Sequence, residues 1–174
     1  MFLHFGVNTF GNVEWSDDGI DARSYQPDEI DADGWVRTVR DAGMNQVILI
    51  TKHHDGFCLW NTDYTDYCMK NSGNPTDVVA ETAKACKKYG IRLGLYYSLW
   101  DRKEPSYKDN FMDGYMPYML NQLPSPGGIP PKSQTFLLAA AHGAYQSEAP
   151  VPPRHKNLWT APMRSYSLRG ILPQ

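Results

Sequence analysis

Three of the five histidines stand at the ends of apolar runs, where side chains can meet a ligand. His53 and His54 follow the run 46–51, and His4 lies in the run 2–6 near the N-terminus. A neutral imidazole offers one hydrogen-bond donor and one acceptor, and it is also a common metal ligand. A single histidine at a strand end is more often structural, so the prediction of a site rests on three of them at equivalent positions.

His53 and His54 leave two interpretations open. Adjacent residues of a strand point to opposite faces, so one imidazole can contact a ligand while the other braces the neighbouring loop, unless the strand bends there. Alternatively, His53, His54 and Asp55 form a metal site. We favour this second interpretation less, because adjacent histidines seldom converge on one ion and no further ligand cluster is evident.

Aromatic residues accompany the histidines in the loops that follow the apolar runs. Tyr96 and Tyr97 lie near the end of the run 92–98, and Glu14 precedes a tryptophan in an earlier loop. Aromatic faces suit the C–H side of a sugar, and His, Glu and Tyr suit its hydroxyls, so the set predicts a polyol ligand. The alternatives are that each ring caps the sheet core and that Glu14 is a solvated loop acid. The loop aromatics are Trp15, Trp60, Tyr64, Tyr67 and Trp100.

Apolar runs and helical patterns alternate along the chain, which predicts an α/β fold of parallel β-α units. The runs 2–6, 46–51 and 92–98 are of strand length, and a helical pattern precedes each of the last two. Parallel strands end at one rim, so the histidines and tyrosines are expected to meet there. The helix boundaries are marked by Asp31 and Gly43 for the first helix, and by Thr76 or Asp77 and Gly90 for the second.

Composition limits the class of protein and its partners. The chain has 174 residues, 41% hydrophobic and 21% charged, which is typical of one folded domain. A net charge of −2 without a dense basic run argues against a nucleic-acid partner. No stretch reaches the roughly 20 apolar residues that cross a bilayer and no secretory signal is visible, so we expect no membrane partner. Cys58, Cys68 and Cys86 are expected to be free buried thiols.

The chain changes character near Leu123. Four of the 13 prolines lie at or before this residue and nine after it, and the net charge changes from −6 before the break to +4 after it. We therefore place a boundary there, with 1–123 as the folded part and 124–174 as an irregular tail of no recognised family. Within the tail, the segment 135–145 (TFLLAAAHGAY) predicts a turn or two of helix between its flanking prolines.

Motifs of other enzyme classes, such as G-x-S-x-G, G-x-G-x-x-G and H-E-x-x-H, are absent from the sequence. The chain instead resembles the α-L-fucosidases, from about Phe2 to Leu123. That resemblance implies a (β/α)8 barrel of which about three β-α units are present, and retaining hydrolysis of terminal α-L-fucose without a metal or cofactor. The first block is more similar to the branch that acts on α-1,3- or α-1,4-linked fucose. The matching blocks, in family order and spacing, are HFGVNTFGNVEW, TKHHDGFCLWNTDYTDY and GLYYSLWDRKEPSY, followed by YMLNQL.

The resemblance also implies which residues hold fucose. The family's nucleophile is an aspartate in a W-F-D-G-like segment at the end of the fourth strand, and its acid/base is a carboxylate from a later loop. Neither segment is present, because the chain reads PSPGGIPPKSQTFLLAAA where the fourth strand should follow. No catalytic residue is therefore assigned. The implied fucose-binding residues are His4, Glu14, Trp15, His53, His54 and Tyr97 or its neighbour Tyr96, with Trp60 nearby on the same rim.

These absences lead to a prediction about activity. Retaining hydrolysis needs two carboxylates roughly 5–5.5 Å apart, and a barrel needs eight strands in about 250 residues. We therefore expect a truncated copy or an erroneous gene model of an α-L-fucosidase, a glycoside hydrolase by family that is inactive as this chain stands, with fucose or a fucosylated glycan as its partner. A non-catalytic fucose-binding remnant and, less favoured, a small metal-dependent α/β enzyme are the alternatives.

Overall fold

A computed structural model describes residues 1–14 and 19–122, together with the backbone of the strand 135–139. Among these residues, no helix has the length and apolar character needed to cross a membrane. The strands are β1 (Phe2–Leu3), β2 (Gln46–Lys52), β3 (Arg92–Ser98) and β4 (Thr135–Ala139). The helices are α1 (Asn8–Gly11), α2 (Ala32–Asp41), α3 (Val78–Tyr89), α4 (Ser106–Asp109) and α5 (Met116–Gln122), with short 3-10 turns at Ala22–Ser24 and Met69–Asn71 and a π-helical turn at Phe111–Tyr115.

The described strands form one parallel sheet in the order β1-β2-β3-β4. Helix α2 lies between β1 and β2 in the chain, and α3 lies between β2 and β3. The predicted parallel β-α units are therefore confirmed. Leu3, Leu49 and Leu95 stand in register across the first three strands, so all three share one face of the sheet.

The helix boundaries follow the predicted caps. The Asp31 carboxylate accepts a hydrogen bond of 2.8 Å from the backbone N–H of Gly34, and the Asp77 carboxylate accepts one of 2.8 Å from that of Ala80. Each bond satisfies one of the N–H groups that a helix leaves without a partner in its first turn. Gly90 ends α3 at a φ of +67°, a conformation that costs glycine little.

The hydrophobic core lies on the side of the sheet that α2 and α3 cover. Leu49 and Leu95 are fully buried there, and burial of one such side chain contributes about 1.5–3 kcal/mol. The opposite side of the sheet is less covered at β1, where Phe2 is 64% exposed. The three cysteines are free and buried, as predicted. Other core residues contributed by the helices are Val36, Val39, Val79, Ala85 and Cys86.

An irregularity near the end of β2 decides which side chains share a face. Ile50 pairs with Tyr96, but Lys52 and not Thr51 pairs with Tyr97, so one residue of β2 is extra. Such a bulge exchanges the two faces for the residues that follow it. Lys52 therefore shares the helix-covered face with Tyr97, and the next residue of the chain turns to the opposite side of the sheet.

The tail departs from its prediction at one place. Thr135–Ala139 forms β4, which pairs in parallel with β3 from Gly94 to Ser98. The helical interpretation of this segment is wrong, because the free edge of β3 supplies hydrogen-bond partners along the strand that outweigh the local pattern. The rest of the predicted irregular tail lies outside the described residues.

Candidate functional site

A cavity of about 460 Å³ lies beside the carboxyl ends of β1 and β2. Its volume falls in the range of roughly 300–1,000 Å³ that small-molecule sites occupy. The wall combines imidazole, amide, hydroxyl and carboxylate groups with one aliphatic side chain. The lining residues are His4, Asn8, Thr9, Val13, Glu14, His53 and His54.

The three predicted histidines lie together at this cavity. The ring centroid of His53 is 4.9 Å from that of His4 and 4.0 Å from that of His54. On its other side, His53 stacks on Tyr96 with 6.2 Å between ring centroids. The ring of His54 also contacts Trp100 at 4.7 Å. The bulge turns His53 to the cavity side, and His54 lies in the turn after β2, so both adjacent histidines line the cavity and strand alternation does not separate them.

All three imidazoles are held in the neutral form at neutral pH. The pKa of His53 is lowered to about 4, first by loss of hydration and then by the nearby His54, His4 and Lys52. The pKa of His54 is lowered by burial first and then by Lys52 and His4. Burial also lowers the pKa of His4, although the Asp55 carboxylate opposes this shift. Each neutral ring then offers one donor and one acceptor to a ligand.

Acid is expected to destabilise the fold between about pH 6.5 and about pH 4. The upper limit is the pKa of His53 in the unfolded chain, and the lower limit is its pKa in the folded protein. In that range the unfolded chain binds a proton that folded His53 does not bind, so stability falls as the pH falls, by up to about 3 kcal/mol. The Asp55 pKa is raised, mainly by burial, which acts in the opposite sense. Urea unfolding of the wild type and His53→Gln across this range isolates the imidazole, and a constant difference between them would contradict the assignment.

Asn8 is a site residue that sequence reasoning missed. Its side-chain amide donates to Asp55 Oδ2 at 2.9 Å and to the Glu14 backbone carbonyl at 3.1 Å. The other oxygen of Asp55 accepts from the backbone N–H of Phe57 at 2.8 Å. Asn8 thus joins the turn after β2 to the loop that carries Glu14. The sequence feature that could have identified Asn8 is its position in the block HFGVNTFGNVEW, which also contains His4.

Ser98 is a second residue that sequence reasoning did not assign to the site. Its hydroxyl lies 2.6 Å from Nδ1 of His54 and 2.8 Å from the backbone carbonyl of Trp100. Ser98 is fully buried at the end of β3, so it contacts the histidine from behind the cavity wall. No sequence motif marks such a serine, because its role depends on the register between β2 and β3.

The structure brings some of the predicted residues to the cavity and not others. Glu14 is exposed and lines the cavity, and Tyr96 lies on the cavity side of β3 against His53. Tyr97 lies on the opposite face, 1% exposed, and its hydroxyl donates to Gln122 Oε1 at 2.8 Å. Trp60 is 3% exposed and packs 6.3 Å from the ring of Tyr97. Tyr97 and Trp60 are therefore core residues, and Trp15 lies outside the described residues.

Acidic residues near the site have structural partners. Asp101 is 1% exposed, and its Oδ2 lies 2.7 Å from Nζ of the fully buried Lys52. Glu104 accepts hydrogen bonds from the N–H and hydroxyl of Ser106. Within 1–14 and 19–122, no group of three or more His, Cys, Asp or Glu side chains is arranged to hold a metal ion. The geometry offers no support for a metal site of His53, His54 and Asp55.

Comparison with known proteins gives one consistent result. The α-L-fucosidase family matches residues 9–123. Alpha-L-fucosidase 1 of Arabidopsis thaliana is 50% identical over 110 residues, which is 62% of this chain and 22% of that protein. The human tissue alpha-L-fucosidase is 35% identical over 95 residues, 54% of this chain and 19% of that protein. The chain thus spans about a fifth of the length of these relatives.

Solved structures agree with the sequence comparison. A glycoside hydrolase 29 fucosidase of Ruminococcus gnavus, solved in complex with fucose, has a TM-score of 0.63 and 34% sequence identity. The match covers 70% of this chain and 28% of the bacterial protein. The predicted partial barrel is therefore confirmed as the fold of the matching region.

Proposed function

The chain belongs to the α-L-fucosidase family of glycoside hydrolases, and from this premise we propose that it binds terminal α-L-fucose in the histidine cavity without hydrolysing the glycosidic bond. The observation that carries the proposal is the grouping of three neutral imidazoles on one cavity wall, with centroid separations of 4.9 and 4.0 Å. The proposed contacts come from His4, Glu14, His53, His54 and Tyr96, and Trp15 remains a predicted contact.

The chemistry of the wall suits an uncharged, hydroxyl-rich ligand. Neutral imidazoles supply donors and acceptors without a positive charge, and the wall also carries the Glu14 carboxylate. A negatively charged ligand would meet this carboxylate without a cation to balance it. The ring of Tyr96 stacks on His53 on the cavity side of β3 and holds that imidazole in place. These features favour a neutral sugar over a phosphorylated or carboxylated one.

The described carboxylates support binding in preference to hydrolysis. Both oxygens of Asp55 accept hydrogen bonds from neighbouring groups, and Asp101 forms an ion pair away from the cavity. Glu14 is the one remaining carboxylate among the described lining residues. The sequence of β4 contains no acidic residue, and the next one along the chain is Glu148. Retaining hydrolysis needs two carboxylates roughly 5–5.5 Å apart on opposite sides of the scissile bond.

One preparation tests binding and turnover together. Calorimetry of the 174-residue chain with L-fucose is expected to show saturable heat, and D-fucose, which has the same atoms in mirror-image arrangement, is expected to show none. The same preparation is expected to release no nitrophenol from a nitrophenyl α-L-fucoside above the rate without protein. Absence of L-fucose binding would contradict the site. Turnover that Glu14→Gln abolishes would contradict the proposed lack of hydrolysis.

A further inference from the structure

Three contacts behind the cavity wall join the segment Lys52–His54 to the end of β3 and the loop that follows it. Lys52 Nζ lies 2.7 Å from Asp101 Oδ2, and the backbone N–H of Arg102 donates to the His54 carbonyl at 2.8 Å. The third contact is the 2.6 Å separation between His54 Nδ1 and Ser98 Oγ. Together these contacts fix both the backbone and the ring of His54 relative to β3.

A count of protons at Ser98 decides which nitrogen of His54 is protonated. The hydroxyl of Ser98 has one proton and two lone pairs. The Trp100 carbonyl, 2.8 Å away, can only accept, so it takes the Ser98 proton. The contact with His54 is then a hydrogen bond only if Nδ1 carries a proton and donates it to Ser98 Oγ.

We propose that Ser98 is a positioning residue, which holds His54 as the Nδ1–H tautomer and thereby makes Nε2 a hydrogen-bond acceptor for the ligand. The ligand role rests on the proposed function, whereas the tautomer does not. A sugar hydroxyl that meets Nε2 then donates its proton and does not accept one. Ser98 thus decides whether His54 Nε2 accepts or donates in its hydrogen bond with the sugar, although Ser98 does not contact the sugar in this arrangement.

The surroundings leave Ser98 and the loop little freedom to rearrange. Asp101 Oδ1 accepts from the N–H groups of Lys103 and Glu104, both at 2.9 Å, which shapes the loop after β3. Gly56 has a φ of +85°, and a Cβ atom there would lie 2.8 Å from Asp101 Oδ1. The turn after His54 therefore packs closely on the loop. Burial also lowers the pKa of His54, so the ring carries a single proton at neutral pH.

Nitrogen-15 NMR of the free protein tests the tautomer directly, because protonated and unprotonated ring nitrogens have well-separated chemical shifts. The His54 resonances are assigned from their loss in His54→Gln. In the wild type at about pH 7, we expect Nδ1 at a protonated shift and Nε2 at an unprotonated one. A wild-type spectrum with the proton on Nε2 overturns the proposal, whether or not any variant folds.

Ser98→Ala supplies the second arm of the test. Removal of the acceptor is expected to move at least part of the His54 population to the Nε2–H tautomer. Ser72→Ala is the matched control, because its hydroxyl lies 2.8 Å from the Met69 carbonyl and the substitution deletes the same atom. We expect no change in the His54 shifts in this control. A Ser98→Ala spectrum identical to that of the wild type would overturn the assignment of the tautomer to Ser98.

The readout separates this inference from the proposed function. The tautomer is measured without any sugar, so failure to bind fucose leaves the result on Ser98 standing. Conversely, fucose binding together with the Nε2–H tautomer would support the site and contradict the positioning role. In the Ser98→Ala variant, the affinity for L-fucose is expected to fall roughly two- to tenfold, the loss of one hydrogen bond of about 0.5–1.5 kcal/mol.

Discussion

Replacement of Asp101 by Asn is expected to lower the free energy of unfolding by about 3–5 kcal/mol. Lys52 is fully buried and Asp101 is 1% exposed, and their charged atoms are 2.7 Å apart. Without the carboxylate, the Lys52 ammonium keeps only longer contacts with neutral oxygens. These are the Ser98 carbonyl at 3.4 Å and the Tyr115 hydroxyl at 3.3 Å. A buried charge that loses its counter-ion is among the most costly single changes in a protein.

Urea unfolding measures this effect, and the chain offers a matched control. Glu81 and Lys84 form an ion pair of 2.6 Å on the surface of α3, so Glu81→Gln is expected to change the free energy of unfolding little. The double variant Lys52→Met, Asp101→Asn removes both charges and keeps a side-chain oxygen for the N–H groups of Lys103 and Glu104, so it is expected to regain most of the lost stability. A loss below about 1 kcal/mol in Asp101→Asn would show that the pair does not hold β2 to the loop after β3.

The ion pair links the stability of the fold to the geometry of the cavity. Lys52 directly precedes the two histidines, and the bulge that turns it toward the helix-covered face also turns His53 toward the cavity. The contact of Lys52 with an aromatic ring agrees with this placement, since the ammonium nitrogen Nζ lies 4.5 Å from the ring centroid of Tyr97. The same buried charge lowers the pKa of His53 and His54. One lysine thus supports the position and the neutral state of both imidazoles.

Local patterns were sufficient to predict the helices α2 and α3 and the central strands β2 and β3. Asp31 and Asp77 cap α2 and α3 as expected, and β3 has the predicted bounds. These features depend on residues close together in the chain, where N-cap hydrogen bonds and apolar runs act. The grouping of the histidines was also predictable, because parallel strands that end at one rim bring their final residues together.

Features that depend on long-range register were not predictable. The faces to which Lys52 and His53 turn are set by one extra residue near the end of β2, and a shift of one residue exchanges the faces of a strand. The strand Thr135–Ala139 forms because the edge of β3 pairs with it, which no local pattern in the tail reveals. Ser98 acquires its role from a partner 44 positions away in the sequence.

The positions of His54 and Tyr97 on opposite sides of the sheet predict opposite results for two substitutions. His54→Ala is expected to weaken L-fucose binding roughly tenfold, because the cavity loses the acceptor and the ring at its wall. Tyr97→Phe is expected to leave the affinity unchanged, since its hydroxyl contacts Gln122 on the other side of the sheet. That variant is expected to lose about 0.5–1.5 kcal/mol of stability, because the buried Gln122 Oε1 loses its 2.8 Å hydrogen bond from Tyr97.

Calorimetry and urea unfolding of His54→Ala and Tyr97→Phe distinguish the cavity side of the sheet from the helix-covered side. A reduced affinity in Tyr97→Phe with unchanged stability would place Tyr97 at the sugar. An unchanged affinity in His54→Ala would reduce that histidine to a brace for the loop after β3. The expected pattern, affinity lost in one variant and stability in the other, follows from the placement of His54 at the cavity wall and of Tyr97 in the core on the helix-covered side of the sheet.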